Sequence, residues 1–333
     1  MQRVAGGINA KESDWKFNAA LFYRKSTNRP YEQLCSGAII NKWQILTAAH
    51  CMFTIEKWTR SPKLLIWKNI IIVPGKTKIH RWHLVKARYV ADFIVHPKYN
   101  HSAKVKHYDI AILKVNKAFK FDGKVEAIPL QDEESEIDDL CHVAGWGSCD
   151  YSPQPACCFG NKTKIDSFPT KLHTAQVPIW STKQCQSAWQ GRNIRVDKQG
   201  ILKLDAKIVK SVITERNICF GGKATGTNHW HLCLGDSGGP LVCKDKKSRL
   251  LLVGLNSWGH EYCNCEVIGT PNVNTRISPF KEWIEENVWN KSQPNGLLRS
   301  GCAIIMEKKW IMLQFFITNF IPFLFAKLSI YGS

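Results

Sequence analysis

The chain has 333 residues, 44% hydrophobic and 11% aromatic, which fills the core of one large or two modest domains and excludes disorder. It carries 46 Lys and Arg against 27 Asp and Glu, a formal charge of +19, together with 13 cysteines. That many cysteines excludes a reducing cytosol, and their odd number leaves at least one free or joined to another molecule.

Arg3-Val4-Ala5-Gly6-Gly7 opens the chain and leads straight into what reads as mature domain, with no export signal ahead of it. From Val4 to about Asn290 short apolar runs alternate with turn residues; Cys35-Ser36-Gly37-Ala38-Ile39-Ile40 and the 108–115 and 250–255 stretches are examples. Long helical periodicity is scarce, so the pattern predicts an all-β barrel or sandwich. Residues 57–88 hold nine Lys or Arg and no Asp or Glu. Such a run attracts polyanions or is simply a solvated loop; outside the cell a sulfated or acidic glycan fits better than any specific nucleic acid. One helix closes the region: Ser278 can cap it, Pro279 suits its first turn, and Phe280, Trp283, Ile284 and Val288 share a face.

Residues 290–333 read as a linker and a hydrophobic tail, with an uncharged run at 310–325 between Lys308-Lys309 and Lys327. The run is shorter than the roughly 20 residues that span a bilayer, so it reads as a tail anchor, a cleaved lipid-anchor signal, or a non-native end. Sequons at Asn100, Asn161 and Asn290 fit a secreted glycoprotein. Cys157-Cys158, Cys263-Asn264-Cys265 and His229-Trp230-His231 could suggest zinc, but no repeated CxxC pair accompanies them. Neither a metal nor a cofactor is expected.

Three segments carry chemistry. Leu46-Thr47-Ala48-Ala49-His50-Cys51 offers a histidine, Tyr108-Asp109-Ile110-Ala111 an acid at the head of an apolar strand, and Gly235-Asp236-Ser237-Gly238-Gly239-Pro240 a serine in a glycine-rich turn. A serine hydroxyl needs a base to take its proton, and histidine is the side chain suited to that near neutral pH. A carboxylate fixes the imidazole tautomer, and glycines let backbone N–H groups converge on a developing oxyanion.

In their order His, Asp, Ser, these motifs resemble the trypsin-like, chymotrypsin-fold serine proteases. The resemblance implies two packed antiparallel six-stranded β-barrels with a C-terminal helix, over residues 4–289. Nucleophile Ser237, base His50, orienting Asp109 and an oxyanion hole at the Gly235 and Ser237 amides follow from it. So does activation by cleavage after Arg3, which frees the Val4 amine to pair with Asp236 and leaves residues 1–3 as a propeptide remnant. Cys141-His142-Val143-Ala144-Gly145-Trp146-Gly147 resembles the family's entry to the second barrel, and Ser257, Trp258 and Gly259 its substrate strand. Implied disulfides are Cys35–Cys51, Cys141–Cys243, Cys185–Cys219, and Cys233 with Cys263 or Cys265. Protein or peptide substrates and serine protease inhibitors are the implied partners, in a secreted or granule setting. Short stretches such as Asn28-Arg29-Pro30-Tyr31 and Trp189-Gln190-Gly191-Arg192 are similar to the acrosin branch of the family.

The chain departs from the pattern at its primary specificity pocket. Where trypsins place an aspartate, His231 stands beside Leu232, and the opposite wall has Asn272 in place of glycine. Specificity other than for Arg or Lys is therefore expected. Residues 193–212 lengthen the Cys185–Cys219 loop beyond the family's size, either as a true insertion or as sequence foreign to the protein. An active endopeptidase is the main expectation; a protease-fold protein that binds sulfated glycans or a protein partner is the alternative.

Overall fold

The computed structural model describes residues 7–55, 61–80, 83–84, 87–103, 105–133, 135–147, 171–196, 200–221, 232, 235–259 and 270–288. After the short β1 (Ile8–Asn9) come β2 (Asn18–Tyr23), β3 (Glu32–Ile39) and β4 (Gln44–Thr47). A small hairpin, β5 (Phe53–Ile55) and β6 (Pro62–Leu64), precedes β7 (Ile70–Pro74), β8 (Arg88–Val95) and β9 (Ala111–Val115). Then follow β10 (Leu140–Gly145), β11 (His173–Trp180), helix α1 (Thr182–Trp189), a second hairpin of β12 (Asn193–Val196) and β13 (Gly200–Lys203), and helix α2 (Ala206–Val212). The sequence of elements ends with β14 (Asn217–Phe220), β15 (Pro240–Lys244), β16 (Leu250–Trp258), β17 (Asn272–Arg276) and helix α3 (Lys281–Glu286).

Two closed, antiparallel, six-stranded barrels result. The first runs β2-β3-β4-β9-β8-β7. The second runs β11-β10-β15-β16-β17-β14 and closes through β14 on β11, with β1 added along β11. This is the chymotrypsin-like architecture that the sequence motifs implied.

Successive side chains of a strand face opposite ways, and here both faces are covered. On β9, Ala111, Leu113 and Val115 line the first barrel, while Ile112 joins a cluster shared by both barrels. On β16, Leu251 and Val253 fill the second barrel, while Leu252 and Leu255 turn to the shared cluster. That double coverage is why these strands read as unbroken apolar runs rather than as alternating ones. Each such aliphatic side chain contributes about 1.5–3 kcal/mol by leaving water.

Disulfides join Cys35 to Cys51, Cys141 to Cys243, and Cys185 to Cys219. The bond proposed for Cys233 involves residues outside those described, as do Cys149, Cys157, Cys158 and the tail. Within the expected insertion, β12 and β13 pair with each other, and residues from Leu204 to Val212 pack against the second barrel. Asp205 caps α2 by accepting from the Lys207 and Ile208 amides at 2.9 and 2.8 Å. Leu204, Val209, Val212 and Ile213 are buried with Trp189 and both cysteines of the Cys185–Cys219 bond. The closing helix differs from its expected cap. Ser278 begins a 3-10 turn whose N-cap is Ile277, and no side-chain cap forms. Phe280 and Ile284 are buried and Trp283 packs against the shared cluster, but Val288 is exposed.

Candidate active site

Strand register sets the site before any side chain is considered. Thr47 of β4 pairs with Ala111 of β9, so His50, three residues beyond Thr47, lies beside Asp109, two residues before Ala111. In the second barrel Pro240 of β15 pairs with Leu255 of β16, which brings Ser237 and Ser257 to the same barrel edge.

Asp109 is 1% exposed and ringed by donors. The His50 amide donates to its Oδ1 at 2.8 Å, His50 Nδ1 donates to Oδ2 at 2.7 Å, and Ser257 Oγ donates to Oδ2 at 2.6 Å. Burial pushes the carboxyl up; the His50 charge and the hydrogen bonds from the His50 ring, Ser257 and the His50 amide outweigh it and hold the group below the ordinary carboxylate range. Asp109 is thus ionised at neutral pH and fixes the proton on His50 Nδ1.

The residue before this carboxylate is unusual. Tyr108 has φ +56°, a conformation that costs a bulky residue on the order of 1–3 kcal/mol. His96 stacks on its ring at 4.9 Å, and the Arg216 guanidinium lies 5.0 Å from the ring centroid. The turn it forces, with the Ile110 amide donating to the Tyr108 carbonyl, delays the strand until Ala111. Burial, then the charge of Lys98, pushes the His96 imidazole down to about 4.

The serine turn packs directly against the histidine's approach. Gly238 has φ +74°, and a side chain there would meet Thr47 Oγ1 at 2.2 Å and the Ala48 amide nitrogen at 2.8 Å. Only glycine allows this closeness. The Ser36 amide donates to the Ser237 carbonyl at 2.8 Å, and Ser36 Oγ and Gln33 Nε2 both donate to the Gly235 carbonyl. These contacts tie the first barrel to the loop of the second. Cys35 and Cys51 also lie near His50 in metal-ligand distance, but their sulfurs are spent on each other.

Asp236 is fully buried and accepts from the Gly147 amide at 2.6 Å. Gly145 must be glycine, since a Cβ there would lie 1.8 Å from Asp236 Oδ1. Arg3 and Val4 lie outside the described residues.

Asn272 is 2% exposed, and its Oδ1 accepts from the Leu232 amide at 3.3 Å. The same oxygen would lie 2.9 Å from a Cβ on Gly259. The Asn272 side chain therefore occupies the space between Leu232 and the end of the Ser257-Trp258-Gly259 strand. The Trp258 ring packs on Trp189 at 5.2 Å. His231 lies outside the described residues.

Sequence reasoning missed several supports. Thr275 Oγ1 donates to the Asp109 carbonyl at 2.9 Å, and Asn256 Nδ2 donates to the Asp236 carbonyl at 3.0 Å. Neither residue has a spacing that marks it; each is an ordinary strand residue until the barrels close.

The Trypsin family profile matches residues 4–284. The chain is 29% identical over 290 residues to human "Atrial natriuretic peptide-converting enzyme", covering 86% of this chain and 23% of that protein. The mouse and rat proteins of the same name are each 28% identical over 290 residues, covering 86% of this chain and 21% of theirs. The chain thus spans less than a quarter of the length of these relatives.

Proposed function

The chain belongs to the trypsin family of serine proteases, and on that premise we propose that it cuts internal peptide bonds through an acyl-enzyme on Ser237. The observation that carries this is the buried Asp109, held by His50 and Ser257, with the Ser237 turn packed against the residues leading into His50. Ser237 Oγ attacks the scissile carbonyl as His50 Nε2 takes its proton, and the Gly235 and Ser237 amides receive the oxyanion. The same proton passes to the leaving amine. Water then attacks the acyl group by the reverse route, with His50 again as base.

Three finer features belong to this proposal. Cleavage after Arg3 frees the Val4 ammonium to pair with Asp236, a fully buried carboxylate that also accepts from the Gly147 amide. His231, Leu232 and Asn272 form a pocket without an acidic base, which favours small or apolar side chains over Arg and Lys. The 57–88 run, of which Lys63, Lys68 and Lys78 are exposed, binds sulfated or acidic glycans. The relatives are named as peptide-converting enzymes, so limited cleavage of a peptide substrate is the mode we favour over general digestion. Among the described residues no helix is long and apolar enough to cross a membrane. A covalent serine-directed probe tests the core of the reading: it should label the cleaved protein at Ser237 and label chains still carrying residues 1–3 far more slowly. Absence of labelling after cleavage would favour a binding-only role.

A further inference from the structure

The segment 200–216 and the loop 98–108 come from opposite barrels, yet they meet beside the substrate strand. Val105 of the loop packs on the same buried cluster as Leu204, Val209 and Val212 of the segment, and Trp258 packs on it too. Arg216 bridges the two again, with its guanidinium over the Tyr108 ring and its charge helping to lower the His107 imidazole after burial. These two segments therefore form one continuous rim, a single packing layer from the Ser257-Trp258-Gly259 edge.

The rim is cationic, and its few acids are committed. The described residues of the loop include Lys98 and Lys106 and no Asp or Glu. Residues 200–216 contain Lys203, Lys207, Lys210 and Arg216 against Asp205 and Glu215. Asp205 is occupied by the α2 amides. Glu215 accepts from Thr182 Oγ1 at 3.2 Å and faces Arg276. Lys203, Lys207 and Lys210 are exposed, and among the described residues none is in an ion pair. Lys207 and Lys210, three apart on α2, present their charges together while Val209 and Val212 face inward.

We propose that this rim is a docking site for acidic side chains of the substrate, several residues before the scissile bond. The inference rests on the protease reading above. The pocket at Leu232, Asn272 and Gly259 receives the residue before the cut, and the strand through Trp258 carries the preceding residues toward the rim. Exposed charges of one sign beside a cleft raise the encounter rate of the opposite sign and discriminate against like charge. The sequence has His231 where the family has its pocket aspartate, so the rim supplies charge selectivity in place of the pocket.

The test uses full-length protein cleaved after Arg3 and three peptides identical around the cut but carrying Glu, Gln or Lys at the third to fifth positions before it. At low salt kcat/KM should favour the Glu peptide over the Lys peptide by about tenfold or more, the sum of a few exposed charge contacts. The ratio should shrink at high salt. In the K203E/K207E/K210E variant it should fall toward one or invert, while cleavage of the Gln peptide and labelling of Ser237 stay near the parent. Equal cleavage of the Glu and Lys peptides by the parent overturns the rim, as does a preference that survives in the variant. Loss of heparin retention in the variant without any parent preference for the Glu peptide also overturns it, in favour of a glycan site. If no peptide is cut and Ser237 is not labelled, it is the protease reading that fails.

Discussion

The two barrels share a strand plan but differ in where they bury polarity. In the first, the buried polar side chains include Asn18, Gln44 and Thr47 at strand ends and the small Ser36 inside β3, and the interior is otherwise apolar. In the second, four asparagines are buried, Asn217 and Asn272 at the starts of β14 and β17 and Asn256 and Asn274 inside β16 and β17, all at most 9% exposed. Oδ1 of Asn256 and of Asn274 has no hydrogen-bond partner among the described residues. A buried, unsatisfied polar atom costs about 1–3 kcal/mol; the first barrel carries this cost at Asn18 Nδ2, at the start of β2, and the second carries it at two asparagines inside strands. The difference matches their parts in the site. The first barrel holds His50 and Asp109 in fixed register, whereas the second provides the nucleophile turn, the pocket wall and the rim.

The strongest break would come at the nucleophile. Ser237→Ala should lower turnover by about 10⁴-fold or more with an unchanged melting temperature, and adding His50→Ala should cost little further, because the two act as a unit. Peptide kinetics with a melting curve on each variant checks this; additive losses would mean that the barrels do not meet in one catalytic group.

The barrels should also differ in stability. Leu113→Ala opens a cavity in the aliphatic interior and should cost about 2–5 kcal/mol. Asn274→Ala loses its hydrogen bond to the Ile218 carbonyl but removes the unpartnered oxygen, so about 1 kcal/mol is expected. Denaturant titration of both variants decides, and equal costs would erase the asymmetry.

At the pocket, His231→Asp should raise kcat/KM for peptides with Arg before the cut by about tenfold or more, since a buried cation needs an opposite charge. The gain should be incomplete while Asn272 remains and larger in His231→Asp/Asn272→Gly. Strong Arg preference in the parent would show that another acid serves the pocket.

The gentlest perturbation is a titration. His96 has a folded value of about 4 against an ordinary 6.5. Between those values the unfolded chain binds a proton that the folded one refuses, so stability should fall as pH drops from 6.5 to 4. Asp109 acts lower: its depressed value stabilises the fold above the ordinary carboxylate value, and that contribution is lost as pH falls through the folded value. His96→Phe should flatten the upper window and leave the lower one, as read by stability curves across pH.

The sequence by itself determined the chemistry and its order along the chain. The His50, Asp109 and Ser237 motifs need particular residue types at particular neighbours, glycine above all, and such constraints are written locally. Apolar runs likewise marked strands, because a strand covered on both faces has no polar side to show. What only the tertiary structure decided is which distant groups meet. That Thr275 holds the Asp109 carbonyl, that Tyr108 in a left-handed conformation leans on His96 and Arg216, and that Leu204, Val209 and Val212 pack in one cluster with Trp258 all depend on strand register and barrel closure. Residues 166 positions apart, as Asp109 and Thr275 are, carry no periodicity that links them. Only the closing of two barrels against each other makes them neighbours.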